Sequence, residues 1–239
     1  MRTRLAALVC TLATAGAVAC TPADDAGMEQ GDTGEMAEPA ATGTASGQML
    51  ADWHVRLDER RGDLSAFWMA AEDDGFSVET GAAGIAWRST DAVEEGDFTA
   101  SASFTEQQAP AGHREAYGIV VGGRQLDGPD QQYSYFLVRG DGSYLVKRRT
   151  GESTSTLVDW TPSEAVRGIQ GAGEDNPNEL AVRVAGDQVE FVANGTVVET
   201  LPAADVEPWG VAGIRVNHNL DVRVDGWRVE GASGGMGGG

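Results

Sequence analysis

An all-β fold, a two-sheet antiparallel β-sandwich of the jelly-roll kind, is predicted by three features of the sequence. Short runs rich in Val, Thr and aromatic residues alternate in polarity with a period of two, Gly, Asn and Asp cluster between them, and helix-forming periodicity is missing. About a dozen such strands in a single sheet would leave one apolar face in water, so two stacked sheets follow.

Arg2 and Arg4 open the chain, an apolar stretch runs from Leu5 to Val18, and small residues lead to Ala17-Val18-Ala19-Cys20. These are the parts of a secretory signal, and the stretch is too short and too poor in large apolar residues to span a bilayer. Cysteine at the cleavage point resembles the box of bacterial lipoproteins. The resemblance implies removal of residues 1–19 and diacylation of Cys20, although Ala17 stands where Leu is commonest. Cys10 reads as a small apolar filler. Thr21, rather than Asp, after the anchor implies the outer membrane or cell surface instead of the inner membrane.

Residues 20–47 carry Pro22, Pro39 and six acids among Ala, Gly and Thr, with neither period. They read as a disordered acidic tether. Residues 48–232 are the expected sandwich, and residues 233–239 a flexible Gly-rich tail.

Within the sandwich, Phe98, Ala100, Ala102 and Phe104 share one strand face, with Thr and Ser on the other. Tyr117–Val121 is an apolar run ended by Gly122-Gly123. Tyr133–Arg139 and Ser143–Arg149 flank Gly140-Asp141-Gly142, a hairpin signal. Leu180–Val184 and Val189–Val192 flank Gly186-Asp187, and Asn194-Gly195 then turns the chain into Thr196–Leu201. Asn-Gly suits a type I′ turn because both residues tolerate positive φ. Val211–Val216 and Leu220–Val229 pair around Asn217-His218-Asn219, with Val222, Val224 and Trp227 inward.

The segments Gly118–Asp127, Tyr133–Gly142, Leu157–Pro162, Asn178–Val184, Val192–Gly195 and Gly210–Ile214 resemble the concanavalin A-like lectin/glucanase superfamily, which includes laminin G-like jelly rolls. The resemblance covers residues 50–230. It implies the fold, but the superfamily holds lectins, adhesion modules and glycoside hydrolases, so fold alone does not carry function.

Formal charge is −20, or −22 once Arg2 and Arg4 are removed with the signal. That balance excludes nucleic acid as partner and docking of the domain on anionic lipid, leaving the lipid anchor as the membrane contact. Both cysteines precede residue 21, so no disulfide staples the sandwich.

Catalytic patterns are missing. Glycosidases need two carboxyls at a set separation across the sugar bond. Asp221 and Asp225 share a strand face, but read as outward partners of Arg223 and Arg215. No Gly-x-Ser-x-Gly elbow occurs. His54, His113 and His218 lack chelating spacing for zinc. A structural calcium would draw on Asp127, Asp130 and Asp141, although no motif requires one.

What remains is binding. Aromatic rings with hydrogen-bonding loops are how proteins hold sugars. The predicted site is Arg124 and Asp127 on the loop after the Tyr117–Val121 strand, together with Asn217, His218 and Asn219, with Tyr135 or Trp160 as its apolar wall. The expected function is non-catalytic recognition of a glycan, or of an envelope or extracellular protein, by a cell-envelope lipoprotein. The alternatives are a polysaccharide hydrolase with dispersed carboxylates and a structural or adhesion module.

Overall fold

The computed structural model of the chain describes residues 42–43, 50–58, 63–108, 114–168 and 176–231. The signal, Cys20, the Gly-rich tail and His113 lie outside the described residues.

Fifteen strands are described: β1 (Thr42–Gly43), β2 (Trp53–Leu57), β3 (Phe67–Glu72), β4 (Gly75–Thr80), β5 (Gly84–Val93), β6 (Phe98–Gln108), β7 (Ala116–Arg124), β8 (Gln132–Arg139), β9 (Ser143–Thr150), β10 (Ser153–Pro162), β11 (Asn178–Ala185), β12 (Gln188–Ala193), β13 (Thr196–Pro202), β14 (Gly210–Val216) and β15 (Asp221–Gly231). A single helical turn, α1 (Ala203–Val206), follows β13. They form an eight-stranded sheet in the order β1-β2-β5-β14-β7-β8-β9-β10 and a seven-stranded sheet in the order β13-β12-β11-β6-β15-β4-β3. Every pairing is antiparallel. The expected sandwich is therefore present. It also reaches upstream of residue 48, because β1 pairs with β2 inside the segment read as tether.

Alternation drives the packing. From β6, Phe98, Ala100, Ala102 and Phe104 are all buried, as their spacing requires. They meet Val55, Ala86, Ile214, Ile119, Phe136 and Val146 of the eight-stranded sheet in one apolar core. Val222 and Val224 are fully buried, whereas Trp227 is half-buried and its indole N–H donates to Asp91.

The turns follow their residues. Asn194 and Gly195 take φ of 50° and 80°, as a type I′ turn needs. The Asn194 side chain also donates to the Ala165 carbonyl at 2.8 Å and accepts from the Glu179 N–H at 3.0 Å. At the β8–β9 hairpin the Gly142 N–H donates to the Arg139 carbonyl at 3.0 Å.

One strand departs from simple alternation. On β8, Tyr133, Tyr135 and Leu137 are as buried as Ser134, Phe136 and Val138, which face the main core. The outer face of the eight-stranded sheet therefore holds a second apolar cluster: Ile85, Trp87, Ala116, Val120, Leu126, Tyr133, Tyr135, Leu137 and Leu145.

Candidate functional site

The candidate site is this outer face. Register places His54, Trp87, Gly213, Val120, Tyr135 and Lys147 side by side across β2, β5, β14, β7, β8 and β9. Each faces away from the core because its chain neighbours, such as Val55, Ala86, Ile214, Ile119, Phe136 and Val146, face into it. His54 is exposed and stacks on Trp87 at 5.5 Å between centroids, 20° from parallel. Gly213 contributes no side chain, and a Cβ there would meet the Ala86 carbonyl at 2.3 Å. Its neighbours in the strip, Trp87 and Val120, therefore stand on either side of a bare position.

A polar network lies beside the strip. Arg56 and Arg215 are outward residues flanked by buried apolar ones, and they are only 4% and 7% exposed. The Arg215 guanidinium donates to both oxygens of Asp58, one of them at 3.0 Å, and sits 5.1 Å from the Tyr135 ring centroid. Arg149 lies 3.8 Å from Asp58 and 6.0 Å from the Tyr133 centroid. Tyr133 and Tyr135 pack on one another at 5.8 Å. Arg56 donates to the carbonyls of Leu126 and Gly128 at 2.5 and 2.8 Å, which holds the 125–131 loop back over the face.

Burial raises the Asp58 carboxyl, but Arg215, helped by Arg149 and His218, outweighs it and holds Asp58 below the ordinary carboxylate value. Burial likewise opposes charge on Arg215, and Asp58 reverses this, so the guanidinium stays charged. Tyr133 and Tyr135 are pushed upward chiefly by burial, and both remain neutral hydroxyl donors at physiological pH.

The structure separates the residues predicted to share one site. Arg124 ends β7 beside the start of β14, whereas Asn217–Asn219 follow the other end of β14, next to Ala116. About 17 Å of strand lies between Val211 and Val216 at the usual rise per residue. Arg124 pairs instead with Glu207, at 3.1 Å, and donates to the Trp209 carbonyl. Asn217 and Asn219 hold a turn: the Asn217 N–H donates to the Ala116 carbonyl, its own carbonyl accepts from the Thr80 hydroxyl, and Asn219 takes φ of 53°. Asp127 is exposed, and its charge acts on Arg56. His218 lies 3.7 Å from Glu115 and within electrostatic reach of Asp58. Tyr135 lies at the centre of the face. Trp160 packs at its edge, with the Arg139 guanidinium 4.0 Å from its ring centroid.

Two further expectations are corrected by geometry. Arg223 does pair with Asp225, at 2.8 Å, but Arg215 belongs to Asp58 on the other sheet. Asp127 and Asp130 precede β8 while Asp141 follows it and pairs with Arg139, so the three do not converge on one cation. Among the described residues no group of three or more His, Cys, Asp or Glu side chains can hold a metal ion.

A groove of about 560 Å³ lies on the outer face of the seven-stranded sheet, lined by residues such as Thr99, Ser101, Ser103, Glu179 and Arg228. None of its lining residues is aromatic. One carboxyl, Glu106 on β6, is pushed up to about 7 by burial, the value expected of a general acid. Its shift comes from burial and not from a neighbouring carboxylate.

Comparison with known proteins agrees with this architecture. No family model matches the chain, and no curated protein matches its sequence. Solved structures do. A carbohydrate-binding module, CBM66 from Bacillus subtilis, superposes with a TM-score of 0.54 at 12% identity, covering 75% of this chain and 95% of that one. The fold is a galectin-like jelly-roll sandwich. A Bacillus subtilis protein of unknown function with a galectin-like fold gives 0.52 at 11% identity, over 81% of this chain and 96% of that one. The carbohydrate recognition domain of Emp46p in its potassium-bound form gives 0.52 at 12% identity, over 76% and 89%. What these chains share with this one is the fold.

Sequence reasoning missed Arg56, Asp58, Arg149 and Arg215 because they are scattered along the chain. A usable signal was present. An arginine between buried apolar neighbours on a strand, as in Val55-Arg56-Leu57 and Ile214-Arg215-Val216, must face away from the core.

Proposed function

We propose that the chain is a non-catalytic glycan-binding protein that uses the outer face of its eight-stranded sheet. The observation that carries this is the strip from His54 to Lys147, where the exposed ring of His54 stacks on the enclosed Trp87 and the half-buried Lys147 closes the row beside the ionised Asp58 and Arg215. An exposed ring covers an apolar face of a sugar, and fixed charges read its hydroxyls. Two neighbours in fold are named for carbohydrate binding, which favours this use of the scaffold. Asp58 is committed to Arg215 and kept ionised, which suits it to accepting hydroxyl protons and not to protonating a leaving group.

A glycan array probed with the full-length chain is expected to give discrete hits. His54→Ala should weaken the best hit at least tenfold, whereas Trp68→Ala, exposed on the other sheet, should not. An array without hits, or hits indifferent to both His54→Ala and Lys147→Ala, would remove this reading.

The proposal extends to the protein's address: a cell-envelope lipoprotein held by Cys20, with the sandwich presented to extracellular or envelope glycans. Palmitate fed to expressing cells should label the wild type and not Cys20→Ala. Equal labelling of the two would contradict the anchor.

A further inference from the structure

The outer face of the eight-stranded sheet is an island of positive charge on a chain of net charge −20. Arg56, Arg149, Arg215 and Lys147 all lie on it, against Asp58, which Arg215 and Arg149 approach, and the exposed Asp127, whose charge acts on Arg56. The opposite outer face carries Glu72, Glu79, Glu179, Glu190, Asp221, Asp225 and Glu230 against Arg183, Arg223 and Arg228. Asp58 is already engaged by both nitrogens of Arg215, so Arg149 at 3.8 Å gains little from it. Arg56 donates to the neutral carbonyls of Leu126 and Gly128. Burial lowers its pKa, so its charge is held against desolvation.

Orphaned donors point the same way. Among the described residues seven buried side-chain polar atoms lack a hydrogen-bond partner, and three of them are donors on this face: the Nε atoms of Arg56, Arg149 and Arg215. An unsatisfied buried donor costs about 1–3 kcal/mol, so their concentration in one cluster needs a reason beyond packing.

We infer that the ligand of this face is an acidic glycan whose uronate carboxylates sit against Arg149 and Lys147, above the buried Arg56 and Arg215. This rests on the glycan-binding reading above and adds the chemical class of the sugar. Arg149 and Lys147 are the reachable cations, since Arg149 retains 15% of its side-chain exposure and Lys147 is half-buried. Beneath them the buried Arg56, whose hydrogen bonds go to neutral carbonyls, supplies a fixed positive charge in a medium that screens it poorly, while the charge of Arg215 is matched by Asp58. A carboxylate matches the planar fork of a guanidinium, which a hydroxyl cannot do with charge.

The test compares polygalacturonate with fully methyl-esterified polygalacturonate, by affinity electrophoresis of the full-length chain. The two polymers share a backbone and differ in charge. Retention by the acid at least tenfold stronger than by the ester is expected. Arg149→Gln and Lys147→Gln should each cut that preference severalfold with thermal melts close to wild type, while Arg183→Gln on the opposite face should change nothing. Equal retention by both polymers would overturn the acidic class while leaving glycan binding in place. Dextran sulfate retained as strongly as polygalacturonate would also overturn it, by showing attraction to any polyanion. Failure of glycan binding itself has a separate signature: neither polymer retained and no hit on the array.

Discussion

Asp58→Asn is expected to destabilise the protein by about 3–5 kcal/mol at neutral pH, the usual cost of removing one partner of a buried ion pair. The side chain of Arg215 is almost wholly enclosed, and the Asp58 carboxylate is its only anionic partner among the described residues. Asparagine preserves shape and removes the charge, so the guanidinium is left buried and uncompensated. The pH dependence has a defined sign. The folded carboxyl titrates below its ordinary value of 3.8, so its contribution is complete well above that value and is lost as pH falls through the folded pKa. Urea melts at pH 7 should therefore separate wild type and variant widely, and the gap should narrow below about pH 4. A difference under about 1 kcal/mol at pH 7 would show that Arg215 does not depend on Asp58. Glu72→Gln provides the contrast. Its bond to Arg223 is exposed to solvent and should contribute less than about 1 kcal/mol.

Phe136→Ala should cost a similar 3–5 kcal/mol for a different reason. Phe136 is fully enclosed and packs against Phe191 at 5.4 Å and edge-on against Tyr144 at 6.2 Å. Those rings come from both sheets, so the truncation opens a cavity across the middle of the sandwich. For a domain of this size the melting temperature should fall by about 10 °C. Glycan affinity of the remaining folded protein should be unchanged, because Phe136 faces the core while its neighbour Tyr135 faces the ligand strip. A shift of under about 3 °C would mean that the sheets close over the gap.

The fold was legible because its signals are local. Alternation in Phe98–Phe104 and positive-φ residues at Asn194-Gly195 and Gly142 each decide one strand or one turn, and the structure follows them. Trp53–Leu57 alternates apolar with polar residues, yet the strand is not among those expected, and its burial does not alternate because Arg56 is enclosed. β10 was harder to see, since most of it is exposed and it has no apolar face to betray it. The site was less legible because it depends on which strands become neighbours. Arg215 reads in sequence as a partner for the nearby Asp221 and Asp225, but a strand crossing carries it to the other sheet and to Asp58, 157 positions away. Arg124 and Asn217 were grouped as polar loop residues, and only the antiparallel run of β7 beside β14 shows that their loops leave opposite ends.

The double-sided burial of β8 also bears on how the sheet is indexed. A strand with one wet face is held in register by the cost of exposing its apolar side. On β8 that penalty is weak: a slip of one residue would exchange Tyr133 and Tyr135 for Ser134 and Phe136, placing large rings on either side as before. The hydroxyl of Ser134 supplies what hydrophobicity does not. It lies buried on the core side and donates to the Val206 carbonyl in α1, a bond that only one alignment of the strand allows. Together with the fixed turn at Gly140–Gly142, this small polar group acts as a notch that sets which tyrosines face outward. A chain that lost it would risk populating shifted hairpins, in which an intact-looking sheet presents the wrong side of β8 to the ligand.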